Sequence, residues 1–187
     1  MSASADALAL LEIGSLVRGV VVADAVVKRA PVLLLECGPR SPGKYLVLFA
    51  GGVGETEEAL EAGVAAAGDA LIDRLLLPQA HAQLLPAIRA GGAMQAHVGD
   101  DSAGLVELLS VAAALRSADA ACKAADVRLQ LLHLARGIGG KAWFIVRGEL
   151  ESVEAAVLAA TEAAGDGLLA GAELIARPHA DLRGVAL

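Results

Sequence analysis

The stretch Gly38-Pro39-Arg40-Ser41-Pro42-Gly43-Lys44 carries the letters of a phosphate-binding loop, G-x-x-x-x-G-K. Such a loop cradles phosphates on backbone N–H groups. It follows its lysine with Ser or Thr for magnesium and opens a helix whose amino end receives the anion. Here Tyr45 follows the lysine, Pro39 and Pro42 each remove a donor, and the next residues read as a strand. Nucleotide binding is excluded. His81, His97, His133 and His179 show no i,i+4 pairing, and Cys37 and Cys122 lie too far apart in sequence for a metal knuckle, so no metal is expected. His81 and His179 suit a structural or interface hydrogen bond better than a ligand. Glu55, Glu57, Glu58 and Glu61 fall in the first turns of a helix, where carboxylates complement the dipole and face water. No Ser/His/Asp arrangement stands out, so no catalytic residue and no cofactor is expected, and the chain does not read as an enzyme.

What the residues do show is repetition. Glu12, Asp24 and Lys28 recur as Glu107, Asp119 and Lys123, each 95 positions on. Gly43-Lys44, Gly51 and Gly68 recur as Gly140-Lys141, Gly148 and Gly165 at a spacing of 97, and His81 recurs as His179 at 98. A period this long is not that of a solenoid; it is two fused domains. They are expected at residues 7–89 and 103–187, with a linker at 90–102. The counterpart of the first glycine loop is Gly137-Ile138-Gly139-Gly140-Lys141. Glycines there let backbone approach backbone. Both loops keep a Gly-Lys exit and differ in what precedes it.

The elements that must position these residues follow from local pattern. In the first copy, residues 7–12 read as a strand, and Ser15 caps a helix that Pro31 stops near Ala30. Asp24 and Lys28 sit at i,i+4 within it, acid first. Strands are expected at 32–37 and 45–49 around the loop, then a helix at 53–67 closed by Gly68, a strand at 70–77 and a short helix at 81–88. The second copy repeats the order at 104–108, 111–124, 127–135, 141–147, 150–164 and 168–175. This β-α-β-β-α-β order is ferredoxin-like, an antiparallel sheet with flanking helices, so the fold class is α+β, twice over.

Composition narrows the function. Hydrophobic residues make up 56% and aromatics only 2%, which builds an aliphatic, Ala-packed core and flat fitted interfaces rather than aromatic-lined pockets. A net charge of −7 with one Trp, one Tyr and two Phe argues against nucleic acid as a partner. Apolar runs are strand-length or interrupted by charge, and residues 1–7 lack a basic leader, so neither a membrane span nor a secretory signal is expected. Two cysteines suit a reducing cytoplasm.

Leu10-Leu11-Glu12, Ala23-Asp24-Ala25-Val26-Val27-Lys28, Val106-Glu107, Ser117-Ala118-Asp119-Ala120-Ala121-Cys122-Lys123 and Ala176-Arg177-Pro178-His179 resemble the motifs of bacterial microcompartment shell (BMC) domains. The resemblance covers almost the whole chain, in both copies, with the element order not circularly permuted. It is similar to the single-layer tandem-domain shell proteins of the propanediol-utilisation type. The resemblance implies a homotrimer that imitates a hexamer, tiles shell facets beside other microcompartment shell proteins, and carries a central pore for small polar metabolites. It implies that Arg40, Ser41, Pro42, Gly43 and Lys44, with Gly137, Ile138, Gly139, Gly140 and Lys141, line that pore. The loops it implies at the three-fold axis run from Arg40 to Lys44 and from Arg136 to Lys141. Lys28, Lys123, Arg177, His81 and His179 are implied at the tile edge, although the first copy has Gln79 and Ala80 where the second has Arg177 and Pro178.

In relatives of this type a Cys-Pro-Gly-Lys loop can hold an iron–sulfur cluster on the axis. Here the loop reads Ser41-Pro42-Gly43-Lys44, and a hydroxyl replaces poorly the thiolate such clusters need. Cys37, on the strand, is expected to be a buried small apolar residue. An open polar pore is therefore expected, with Lys44 and Lys141 either forming a positive rim or paired with a neighbour's carboxylates. A trimeric regulatory module binding a small effector and an iron–sulfur electron conduit are the alternatives.

Overall fold

The computed structural model of the chain describes residues 6–94 and 101–182. His97 and the central part of the expected linker, 95–100, lie outside the described residues, as do residues 1–5 and 183–187. In the first copy β1 (Ala7–Ile13), α1 (Leu16–Arg29), β2 (Leu33–Arg40), β3 (Lys44–Gly51), α2 (Val53–Ala67) and β4 (Leu71–Pro78) follow one another. After α3 (Leu84–Arg89), the second copy runs β5 (Ser102–Leu108), α4 (Val111–Ala124), β6 (Arg128–Leu134), β7 (Ala142–Gly148), α5 (Leu150–Ala163) and β8 (Leu169–Ile175). Strand order is β2-β3-β1-β4 in one sheet and β6-β7-β5-β8 in the other, with every neighbour antiparallel. The expected ferredoxin-like order is present twice. The chain separates into two compact units after Ala80. Helix α3, expected at the end of the first copy, packs on β6 and α4 and falls in the second unit.

Matched caps start matched helices. The Ser15 hydroxyl accepts the Arg18 N–H at 3.3 Å, and that of Ser110 accepts the Ala113 N–H at 3.0 Å. Strand β2 is longer than expected, because Gly38, Pro39 and Arg40 pair with Leu46, Tyr45 and Lys44. β2 is an edge strand, where a proline lacking its N–H can leave the ladder intact. The loop therefore shrinks to Ser41-Pro42-Gly43, closed by Gly43 at φ +93°. Its counterpart in the second copy spans residues 135–141, with Gly137, Gly139 and Gly140 all at positive φ.

Ala9, Leu11 and Ile13 of β1 meet Val22 and Val26 of α1 and Ala59 and Leu60 of α2 in one core cluster with Val47 and Phe49. Leu8 and Leu10, on the other face of β1, are buried as well, beside Leu48, Leu75 and Leu77. A strand buried on both faces reads as a continuous apolar run, which is what residues 7–11 are. Close approach of α1 to β3 is set by Gly19, where a Cβ would stand 2.2 Å from Cγ of Tyr45. Gly19→Ala should therefore destabilise by about 1–3 kcal/mol through overpacking, despite a helix-propensity gain of about 1 kcal/mol. Thermal unfolding checks this; a raised melting temperature would show that Tyr45 does not rest on the helix.

Candidate functional site

The two glycine loops are hairpin tips, and their cations turn inward. Arg40 pairs with Glu36 and donates to the Pro39 carbonyl at 2.9 Å. Lys44 Nζ lies 3.0 Å from Glu12 Oε2, and Lys141 Nζ lies 3.0 Å from Glu107 Oε1. The recurrence follows from register: Glu12 faces Leu46 across the β1–β3 ladder, so Lys44 is its diagonal neighbour on the same face. These partners belong to the same copy, not to a neighbouring chain. Burial separates the pairs, since the Glu12 side chain is 1% exposed and that of Glu107 43%. The outward surface of the first tip is Ser41, Pro42 and Gly43, and that of the second is Arg136, Gly137, Ile138 and Gly139, whereas Gly140 is buried.

An iron–sulfur cluster does not fit these residues, because the first tip offers a hydroxyl and no thiolate. Cys37 requires a correction: it is exposed, not buried. It pairs with Val47 on edge strand β2, which has no strand on its outer side. Its Sγ lies 3.5 Å from the Tyr45 hydroxyl, and this hydrogen bond, with burial second, raises the tyrosine pKa above its usual value. Cys122 on α4 is buried, and burial followed by the Asp119 charge pushes its thiol up to about 12. Among the described residues, no group of three or more His, Cys, Asp or Glu could hold a metal ion.

The residues expected at a tile edge divide by copy. Lys28 pairs with Asp24 at 2.6 Å and Lys123 with Asp119 at 2.6 Å. Asp119 also accepts the backbone N–H of His81 at 2.7 Å. The His81 and His179 rings play one local part, each accepting on Nδ1 the N–H two residues on, from Gln83 at 3.4 Å and Asp181 at 3.3 Å. Gln79 and Arg177 share a left-handed backbone, φ 56° and 54°, so the turn persists where the side chain does not.

Sequence reasoning missed two surfaces. On α1, Leu16, Val17, Val20 and Val21 are exposed; their counterparts on α4, Val111, Ala112 and Leu115, are buried, and Arg116 is half-buried. The contrast is largest at Val17, 80% exposed, against Ala112 at 0%. The helix-free face of the sheet shows the reverse. Leu10, Leu46 and Leu75 are buried, while Leu105, Trp143 and Glu173 at the equivalent positions border an open cavity of about 450 Å³, with Glu107 and Ile138 at its wall. Position-by-position comparison of the copies was the available signal, since apolar residues appear at α1 positions that a solitary domain would leave polar.

Two measurements check this geometry. Lys44→Met should cost about 3 kcal/mol, because it strips a cation from a buried carboxylate, and Lys141→Met under about 1 kcal/mol. Equal losses in denaturant titration would contradict the burial difference. A thiol reagent at pH 8 should modify Cys37 in the native protein and Cys122 only after unfolding. Because folding raises the Cys122 pKa, its contribution is full below the unfolded value of about 8.5 and lost as pH rises towards about 12. Cys122→Ala should flatten that alkaline fall in melting temperature.

Comparison with known proteins gives the family. The BMC domain model matches residues 7–80 and again 102–178. The chain is 41% identical over 175 residues to the bacterial microcompartment shell protein PduT of Citrobacter freundii, covering 93% of this chain and 94% of that protein. The carboxysome shell protein CsoS1A of Hydrogenovibrio crunogenus is 44% identical over 85 residues, covering 44% of this chain and 85% of that protein. Among solved structures, a microcompartment protein from Desulfitobacterium hafniense superposes with a TM-score of 0.85 at 36% identity, covering 94% of this chain and 97% of its own. None of these relatives carries an enzyme's name, and no described helix is long and apolar enough to cross a membrane. With two matching domains in one chain and shell proteins as its relatives, this protein belongs to the BMC-domain family of bacterial microcompartment shell proteins, as a tandem member.

Proposed function

We propose that the chain is a non-catalytic facet tile in which three copies close head to tail into a ring of six BMC domains. The observation that carries this reading is the inversion between the copies. The first has its sheet face covered and its α1 face open; the second has its α4 face covered and its sheet face open. Each chain thus presents one open member of each kind, an apolar ridge of Val17, Val20 and Val21 and an apolar hollow beside Trp143. Two unlike surfaces on one chain join heterologously, and such contacts make a ring when the rotation closes.

In that ring the hairpin tips surround a central opening. Ser41 hydroxyls and glycine backbone groups are its polar lining. Lys44 and Lys141 are held by Glu12 and Glu107, whereas Arg136 is exposed at the second tip, so the lining is polar with a positive contribution from Arg136, which favours small polar or anionic metabolites. Lys28, Lys123 and Arg177 are the exposed cations offered to other shell proteins at the tile edge.

Sedimentation should give three chains per particle. Replacing Val17 and Val20 together with Asp should give single folded chains, because both side chains are exposed in the isolated chain. A wild-type protein that stays monomeric at all concentrations would defeat the reading. The pore placement has its own test. Ser41→Cys, reconstituted anaerobically with iron and sulfide, should gain colour and bound iron if three tips converge. A colourless, iron-free trimer would mean that they do not meet.

A further inference from the structure

The segment that leaves β4 is seated by four contacts. The His81 N–H donates to Asp119 at 2.7 Å. The Gln83 amide lies along the free edge of β6, donating to the Val127 carbonyl at 2.8 Å and accepting the Leu129 N–H at 2.8 Å. Leu84 is fully buried, at 0% exposure. Residues 81–84 therefore act as a strap over α4 and the edge of β6.

The segment that leaves β8 repeats the strap without a seat. Residues 177–182 match 79–84 one for one, with the same left-handed turn at Arg177, the same histidine at 179 and Leu182 in place of Leu84. His179, Asp181 and Leu182 are exposed, and Leu182 stands at 38%. The first copy holds the matching empty seat. Asp24 corresponds to Asp119, and its side chain is 56% exposed against 8%. Val32 and Leu34 correspond to Val127 and Leu129; they are half-exposed where the second copy buries both.

We infer that residues 177–182 of one chain strap onto α1 and the β2 edge of a second copy, the His179 N–H donating to Asp24 and Leu182 filling the place that Leu84 fills within the chain. The inference rests on the head-to-tail ring and assigns the residues of its seam. One substitution makes the two straps unequal. Asp181 stands where Gln83 stands, and a carboxylate accepts the Leu34 N–H but has no N–H to donate to the Val32 carbonyl. The strap between chains therefore makes one hydrogen bond fewer than the strap within a chain.

The test is the concentration at which full-length particles dissociate, measured for the wild type and for Asp24→Ala, Leu182→Ser and Asp181→Gln. All three positions are exposed in the single chain, so folding is not at issue. Asp24→Ala and Leu182→Ser should each raise that concentration by about tenfold or more, the loss of one charged hydrogen bond or one buried leucine. Asp181→Gln should lower it several-fold by restoring the second hydrogen bond. In hydrogen exchange the His179 amide should be protected in the wild-type particle and fast in Asp24→Ala. A trimer whose dissociation is unchanged in all three variants would overturn the strap and leave the ring standing. A wild type that never trimerises would remove both.

Discussion

A four-stranded sheet has two faces, and in this chain both faces of its central strands are apolar. That demand organises the molecule. The paired helices of each copy clad only one side, as Ala9, Leu11 and Ile13 show for β1. Leu8 and Leu10 still need cover, and in the first copy they have it. In the second, the same face carries a hollow beside Trp143. Burial of apolar area is worth roughly 25 cal/mol per Å², so an open sheet face and an open valine ridge are strong incentives for association. With so few aromatic rings available, the contact must come from many small aliphatic side chains, which explains why glycines such as Gly19 set the spacing.

The hairpin tips meet a different constraint. Each copy places a lysine at the entry to its return strand and a glutamate diagonally opposite it, and the ladder joins the two. Satisfying those charges internally leaves the first tip's chemistry to backbone and hydroxyl groups and adds Arg136 at the second. The tips can then vary in length and glycine content without disturbing the sheet. They have done so, with Ser41-Pro42-Gly43 at one and a longer loop at the other, where Gly137, Gly139 and Gly140 all take positive φ.

Most of the fold was readable in the sequence, because caps, breakers and the repeat all agreed. Ser15, Pro31 and Gly68 placed helix ends within a residue or two, and α4 fell where expected. The β2 strand ran past its expected end because Gly38-Pro39 looks like a turn locally, while an edge strand accommodates it. Cys37 differs from its expectation for the same reason, since an edge strand lacks a neighbour on its outer side and residue type alone does not bury its side chains. The Glu12–Lys44 pair was present in the repeat but needed the register to be recognised. The strap was hidden more deeply. Its function is carried by a backbone N–H and by Gln83, and only the contrast between a seated and an unseated copy exposes it.

Seating residues 81–84 within the chain also bears on the statistics of assembly. Contacts formed inside one chain are governed by an effective concentration that dilution does not alter. A ring of single-domain subunits must make every seam by collision, whereas a covalent fusion holds its two domains at an effective concentration set by the linker. In the proposed ring only alternate seams respond to protein concentration, and these carry the Asp181 strap with its missing donor. Such a particle comes apart into whole chains and never into single domains, so a damaged tile is exchanged as one covalent unit.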